Sequence, residues 1–408
     1  MLKLVLGTSG SGKTTLLYAR IRARAEAGKR SILLVPEQFT SSTEARIYRE
    51  LGDALSGMVE SYSFTSLAEH ILAALGGAAV QTLTDAGRAV LVRRALEELQ
   101  DNVHYYYRHR RSAAFCQMAA ETIDELKSAG LSGQQLQELA RDCGTESAKL
   151  GELALIFQGY ESLLAGTGMD PADRLELAAD RLEAALARDE LPDFLREREV
   201  FIDEFDTFNA PKKRLMGAML AALPAVTVAL CEDGAPMQPG DLELFSGAKQ
   251  VAAQLRQLAR RNGTEVAVPE LLRRDVRHAD APGLAAAAQL LAAGRCDPPP
   301  ACPEIKLFAA PSREEEARAA AAAIRRLMRQ GVRCGKVAVV CRDISKYRAA
   351  VKYEFRMADI PLYCDEPTTP EFSAPATAVR CLLAIARGAE LTEQLTTLAT
   401  VSYTHLTL

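Results

Sequence analysis

The sequence predicts an α/β fold: a parallel sheet with crossover helices, interrupted by an all-helical insertion and followed by the start of a second α/β unit. Three observations predict it. A glycine loop, GTSGSGKTT at residues 7–15, lies between an apolar strand-like run and a helical one. Strand and helix signals alternate to about residue 80, give way to helical periodicity alone, and resume near residue 199. A proline-rich break at 296–303 precedes a further strand–helix–strand pattern. Alternation of this kind leads to parallel strands joined by right-handed crossovers.

Leu2-Lys3-Leu4-Val5-Leu6 is the first strand, and Leu16, Leu17 and Ile21 recur at helical spacing between Thr15 and Ala27. Between them stands every fixed position of G-x-x-x-x-G-K-[ST]. Glycines let backbone N–H groups turn inward around phosphate oxygens, and the following helix N-terminus adds a favourable dipole. Gly7, Thr8, Ser9, Gly10, Ser11, Gly12, Lys13, Thr14 and Thr15 are therefore expected to cradle the phosphates of ATP. Lys13 would reach the terminal phosphates and Thr14 would offer its hydroxyl to Mg²⁺; the alternative is an ordinary glycine-rich turn. Ser31 to Val35 is the second strand, ended by Pro36, with a helix from about Ser42 to Leu55. Met58 to Phe64 is a third short strand, leading into a helix through Leu75.

From Thr84 to about Arg198 only helical spacing remains: Ala89, Val90, Val92, Leu96 and Leu99, then Phe115, Met118, Ile123 and Leu126, then Leu153, Ile156, Phe157 and Leu163. His104 to Arg111, HYYYRHRR, mixes aromatics with bases, which suits either nucleic-acid stacking or a helix junction with solvated arginines. Val200-Phe201-Ile202 and Val226 to Leu230 restore the sheet, separated by a helix from Pro211 to Leu223, and a further helix surrounds 250–261. Beyond the linker, Ile305 to Phe308 is a strand, Arg313 to Arg329 a charged helix and Val337 to Val340 another strand. The last eight residues, VSYTHLTL, fit neither the preceding helix nor a domain end, and are set aside as a read-through tail. The expected divisions are 1–80 with 199–295, an insertion at 81–198, a linker at 296–304, a partial second domain at 305–400, and the tail at 401–408.

At 408 residues the chain exceeds one ordinary core, so two or three domains are expected. With 48% hydrophobic and 25% charged residues it has a soluble globular composition. A net charge of −4 argues against wholesale coating of nucleic acid but leaves room for a local basic groove. No N-terminal signal is expected, because functional residues start at position 7, and the alanine-rich stretches carry too many charges to span a bilayer. Nine cysteines without a C-x-x-C pair read as reduced thiols, hence a cytoplasmic address. Five scattered histidines show no metal-ligand spacing.

A phosphate loop needs a carboxylate for Mg²⁺ at the end of a neighbouring strand. Val200-Phe201-Ile202-Asp203-Glu204 supplies one: Asp203 for Mg²⁺, and Glu204 to orient and deprotonate the attacking water. About 190 positions separate Lys13 from Asp203, too many for a compact nucleotide kinase and enough for an inserted domain. Arg342, at the end of the 337–340 strand, is either an arginine finger across an interdomain cleft or a solvated strand-end arginine.

These blocks together resemble the N-terminal half of the AddB family, one of the two component types of bacterial ATP-dependent helicase/deoxyribonucleases, related to UvrD-type superfamily-1 helicases. The resemblance spans most of residues 1–370. It rests on GTSGSGKTT, on Leu34 to Thr40, on Ser61 to Ala68, on Phe201 to Phe205, on Ser312 to Ala317, and on Val337 to Arg342 with Asp343 and Tyr347. It implies a P-loop NTPase fold with RecA-like parallel sheets. It also implies single-strand DNA contacts by Gln38, Phe39 and Thr40 and by Ser63 and Phe64, with Phe64 packing in the core or under a base. Its partners are single- and double-stranded DNA ends and an AddA-like helicase–nuclease subunit in a heterodimer, acting in double-strand break repair by recombination. The segment that reads adenine in active UvrD-type helicases has no room before the loop, which bears on translocation. Glu204 keeps an acid where the family often has glycine, which favours hydrolysis. The family's nuclease domain and iron–sulfur cysteines belong to its C-terminal part, so none of these nine cysteines is expected to hold a cluster.

The leading expectation is an ATP-binding, DNA-contacting, helicase-like subunit of an end-processing nuclease complex. A non-catalytic scaffold, holding ATP as a structural or regulatory ligand, is the second reading. A P-loop kinase is the third, disfavoured by the insertion and the second α/β unit.

Overall fold

The computed structural model of the chain describes residues 1–77, 81–165, 167–236, 244–293, 302–364 and 374–406. Its first part runs β1 (Leu2–Gly7), α1 (Lys13–Glu26), β2 (Ser31–Leu34), α2 (Thr40–Leu51), α3 (Asp53–Ser56), β3 (Val59–Tyr62) and α4 (Phe64–Leu75). Five helices follow: α5 (Asp85–Glu98), α6 (Ala113–Ala129), α7 (Gly133–Ala140), α8 (Ser147–Leu164) and α9 (Pro171–Ala187). The sheet is then completed through β4 (Glu199–Ile202), α10 (Ala210–Ala222), β5 (Ala225–Cys231), α11 (Ser246–Arg261) and β6 (Glu270–Leu272), with α12 (Pro282–Ala293) beyond it. All six strands are parallel, in the order β3-β2-β4-β5-β1-β6. This is the predicted α/β class.

Because helices cover both faces, the strands read as continuous apolar runs rather than alternating ones. Alternation reappears in which core each side chain enters. Leu4, Ile32, Leu34, Val200, Ile202 and Val228 join one core with α4, α9, α10 and α11. Val5, Leu33, Phe201 and Ala229 face the other way, onto α1 and α2. One carboxylate lies inside this sheet: buried Glu199 accepts from Lys3 Nζ and Thr227 Oγ1, both at 2.9 Å, and pairs with Arg24 at 3.3 Å. A buried acid persists where such partners satisfy it.

Among the described residues the predicted helical stretch holds α5 to α9 joined by turns, with an isolated bridge between Thr82 and Met169. Helices α5, α6 and α8 close their own core around Leu96, Ile123, Phe157 and Tyr160. Helix α9 differs: Leu175, Ala178 and Leu182 sit in the sheet's core. A buried polar knot joins the two groups. Lys127 donates to Asp170 and Asp173, both at 2.8 Å, and the Tyr160 hydroxyl donates to Asp170 at 2.6 Å.

The chain divides into two compact units, Met1–Ile305 and Lys306–Leu408. The second contains α13 (Arg313–Arg329), α14 (Ile344–Met357), α15 (Ala374–Ala386) and α16 (Leu391–Leu406), with a small core of Ala317, Ile324, Val351 and Phe355. The strands expected at 305–308 and 337–340 are a correction: neither forms a ladder in the described residues, and Leu307, Phe308 and Val340 are exposed. Hydropathy marks an apolar extended segment, but a strand exists only where a neighbour accepts its hydrogen bonds. Residues 296–301 of the expected linker lie outside the described residues, as do 407–408 of the tail, whose preceding residues continue α16. No described helix is long and apolar enough to cross a membrane.

Candidate functional site

The glycine loop leaves β1 and enters α1 through two left-handed residues, Gly10 (φ 84°) and Gly12 (φ 90°), as its sequence demands. Lys13 is the first residue of α1, and its ammonium folds back onto the carbonyls of Gly7 and Thr8, both at 2.8 Å. Burial lowers the Lys13 pKa, and the charge of Asp203 opposes that shift. Inside the loop the buried Ser11 hydroxyl has no hydrogen-bond partner among the described residues.

Asp203 follows β4, with its amide bonded to the Leu34 carbonyl at the end of β2. Since β5 alone separates β4 from β1, the loop and the acids open at the carboxyl ends of neighbouring strands. Ligands of parallel α/β sheets bind at such edges. There, Ser9, Gly10, Gly12, Lys13, Thr14, Thr15, Asp203 and Glu204 line one cavity of about 380 Å³. Asp203 is 5% exposed. Burial raises its pKa, while the Thr14 hydroxyl, the Glu204 amide, Arg46 and Lys13 pull it back. Glu204, on the exposed edge, takes a left-handed backbone (φ 65°) that few residues other than glycine adopt. Its amide donates to Asp203 Oδ1 at 3.0 Å, and its own pKa is raised by desolvation and then by the Asp203 charge. Loop lysine, threonine and both acids thus line one cavity.

Two arginines that sequence reading missed share it. Arg277, in the turn after β6, donates to Ser9 Oγ at 3.2 Å, while the amides of Val276 and Arg277 both bond the Gly10 carbonyl. The Asp275 carboxylate holds this turn by accepting the His278 amide at 3.1 Å, and its other oxygen lies 2.8 Å from the His278 ring. A side chain at Gly10 would meet Asp275 and Arg277 at 2.9 Å, so the turn and the loop interlock through a glycine. Arg46, on α2, lines the cavity with its guanidinium 4.9 Å from the centre of the Tyr18 ring.

The residues expected to touch DNA divide. Gln38 is exposed, Phe39 packs partly on a core, and Thr40 opens α2 with its hydroxyl donating to the Glu37 carbonyl. Ser63 is buried as the N-cap of α4, and Phe64 is 2% exposed, edge-on to Phe205 and Phe208. Of the two roles open to it, Phe64 takes the core. In HYYYRHRR the amides of His104, Tyr105 and Tyr106 converge on the Glu152 carboxylate, and Arg110 covers the Tyr107 ring at 3.8 Å. That is a pinned helix junction, with Arg108 and Arg111 exposed. Arg342 lies in the second unit, exposed on a cavity shared with Arg313, Lys346 and Tyr347. No group of three or more His, Cys, Asp or Glu in the described residues could hold a metal by itself.

Residues 4–286 match the family description "ADDB, N-terminal". The chain belongs to the AddB family. It is 33% identical over 378 residues to the AddB component of the ATP-dependent helicase/deoxyribonuclease of Desulforudis audaxviator (strain MP104C), covering 89% of this chain and 32% of that protein. The protein of the same name from Moorella thermoacetica is 33% identical over 381 residues, with the same coverage. That of Symbiobacterium thermophilum is 31% identical over 390 residues, covering 90% and 32%. The chain therefore spans about a third of the length of these AddB relatives. The matched stretch encloses the loop, the insertion, Asp203, Glu204 and Arg277, and ends before Arg342.

Proposed function

We propose that this chain is the ATP- and Mg²⁺-binding, DNA-contacting part of a helicase-like subunit of a bacterial helicase/nuclease complex. In this reading it processes double-strand break ends for recombinational repair beside an AddA-type helicase–nuclease partner, and engages single- and double-stranded DNA ends. The observation that carries it is the single cavity shared by Lys13, Thr14, Asp203 and Glu204. The residues fit the ligand. The Lys13 ammonium, held by two loop carbonyls, would exchange them for phosphate oxygens, and the left-handed Gly10 and Gly12 let the loop curl around such a ligand. Support for the setting comes from AddB membership and the relatives' name.

Bound MgATP would supply a phosphoanhydride bond to hydrolyse. Lys13 and the loop amides bind the phosphates, and the Thr14 hydroxyl with Asp203 holds the metal. Glu204, beside solvent, accepts the proton of the attacking water, and desolvation together with the Asp203 charge raises its pKa, which strengthens it as a base. The test is Glu204→Gln in the full chain. Loss of DNA-stimulated ATP hydrolysis by about a hundredfold or more, with ATP binding kept, is expected. Unchanged turnover would favour the scaffold reading, with ATP as a structural ligand.

A further inference from the structure

Among the described residues, three cationic side chains line the cavity, and two are committed to the loop itself. Lys13 is on the Gly7 and Thr8 carbonyls, and Arg277 is on Ser9. Arg46 is placed differently. Its guanidinium lies over the face of Tyr18, four residues beyond Thr14 on α1, and it makes no ion pair in the described residues. A guanidinium held by its face keeps its N–H edge free, the geometry that recognises a phosphate with two parallel hydrogen bonds. The platform is fixed and uncharged: Tyr18 is buried, and burial pushes its phenol up to about 12. Arg46 also stands at the acid end of the cavity, where its charge acts on both Asp203 and Glu204. That is the end where the water-activating acid lies.

Building on the ATP reading, we infer that Arg46 is a ligand of the terminal phosphate and makes the site prefer a triphosphate to a diphosphate. An arginine supplied by α2 is set apart in sequence from both the loop and the acids. It would report the state of the nucleotide to the helix that begins at Thr40.

Affinities of the full chain for MgATP and MgADP, measured by calorimetry for the unmodified protein, Arg46→Ala and Arg46→Gln, test the inference. Both variants should weaken ATP by about tenfold or more and leave ADP within about twofold, because a charged hydrogen bond is lost only where the third phosphate exists. Equal weakening of both nucleotides, or of neither, would overturn the role of Arg46 while leaving the loop assignment intact. If the unmodified chain binds neither nucleotide, the phosphate-loop reading fails, and this inference with it.

Discussion

Lys13 combines two properties that pull against each other: an ammonium partly withdrawn from water, and hydrogen bonds that, among the described residues, go to backbone carbonyls, with the Asp203 charge in support. Desolvating a cation costs free energy that neutral carbonyls repay in part, so this residue serves stability poorly and a ligand well. Lys13→Ala is expected to leave the thermal midpoint unchanged or raised while reducing ATP affinity by about a hundredfold or more. Calorimetric titration beside a melting curve separates the outcomes: lost binding together with lost fold would make Lys13 a structural residue. Glu204 carries a similar signature, since its left-handed backbone strains a non-glycine residue at the cavity edge, and such strain gathers at functional sites.

Among the elements, α9 decides how the insertion is attached. Its N-terminal turn meets α6 through Lys127, whose partners Asp170 and Asp173 hold the pKa above the ordinary lysine value despite burial. Lys127→Met would leave Asp170 buried beside Tyr160 without its cation, at a cost of about 3–5 kcal/mol. The sign with pH follows. A raised folded pKa gives stability that is fully present below the unfolded value near 10.4 and is lost as pH rises through the folded one. The unmodified protein should therefore lose stability on moving above about pH 10, and Lys127→Met should lose less over the same range; equal slopes in chemical denaturation would exclude the pair as its source. Neither the knot nor the docking of α9 was legible in sequence, because the apolar spacing of Leu175, Ala178 and Leu182 reveals a buried face but not which core receives it. What periodicity could carry, it carried: five of the six strands, the helices flanking them, and the long strandless stretch. It missed β6, a three-residue edge strand only partly buried, and it overstated the apolar runs at 305–308 and 337–340, which lack ladders. In the candidate site the loop and acids were legible because each is contiguous in sequence. Arg277 left only a faint trace, an RRDVRH cluster before a helix, and Arg46 left none, because its position depends on how α2 packs against Tyr18.

For the whole molecule, the two units differ in how completely they bury what they contain. The three cores of the first are built from residues between Leu2 and Ala259, and its cavity is lined from Ser9 to Arg277. Among the described residues, the cores and the cavity lining of the first unit thus come from positions before residue 306. Among its described residues the second unit has one small core, and Leu307 is 100% and Val340 90% exposed. Exposed apolar segments of extended backbone are sites where chains associate. A fragment of residues 1–305 is thus expected to fold as a monomer with the full chain's ATP affinity, whereas 306–408 alone should self-associate and bind a hydrophobic dye. Light scattering and calorimetry on the two fragments check this. A first fragment that unfolds or loses ATP would mean that the second unit completes the site, and a second fragment that stays monomeric and dye-free would mean that its apolar segments fold back on themselves.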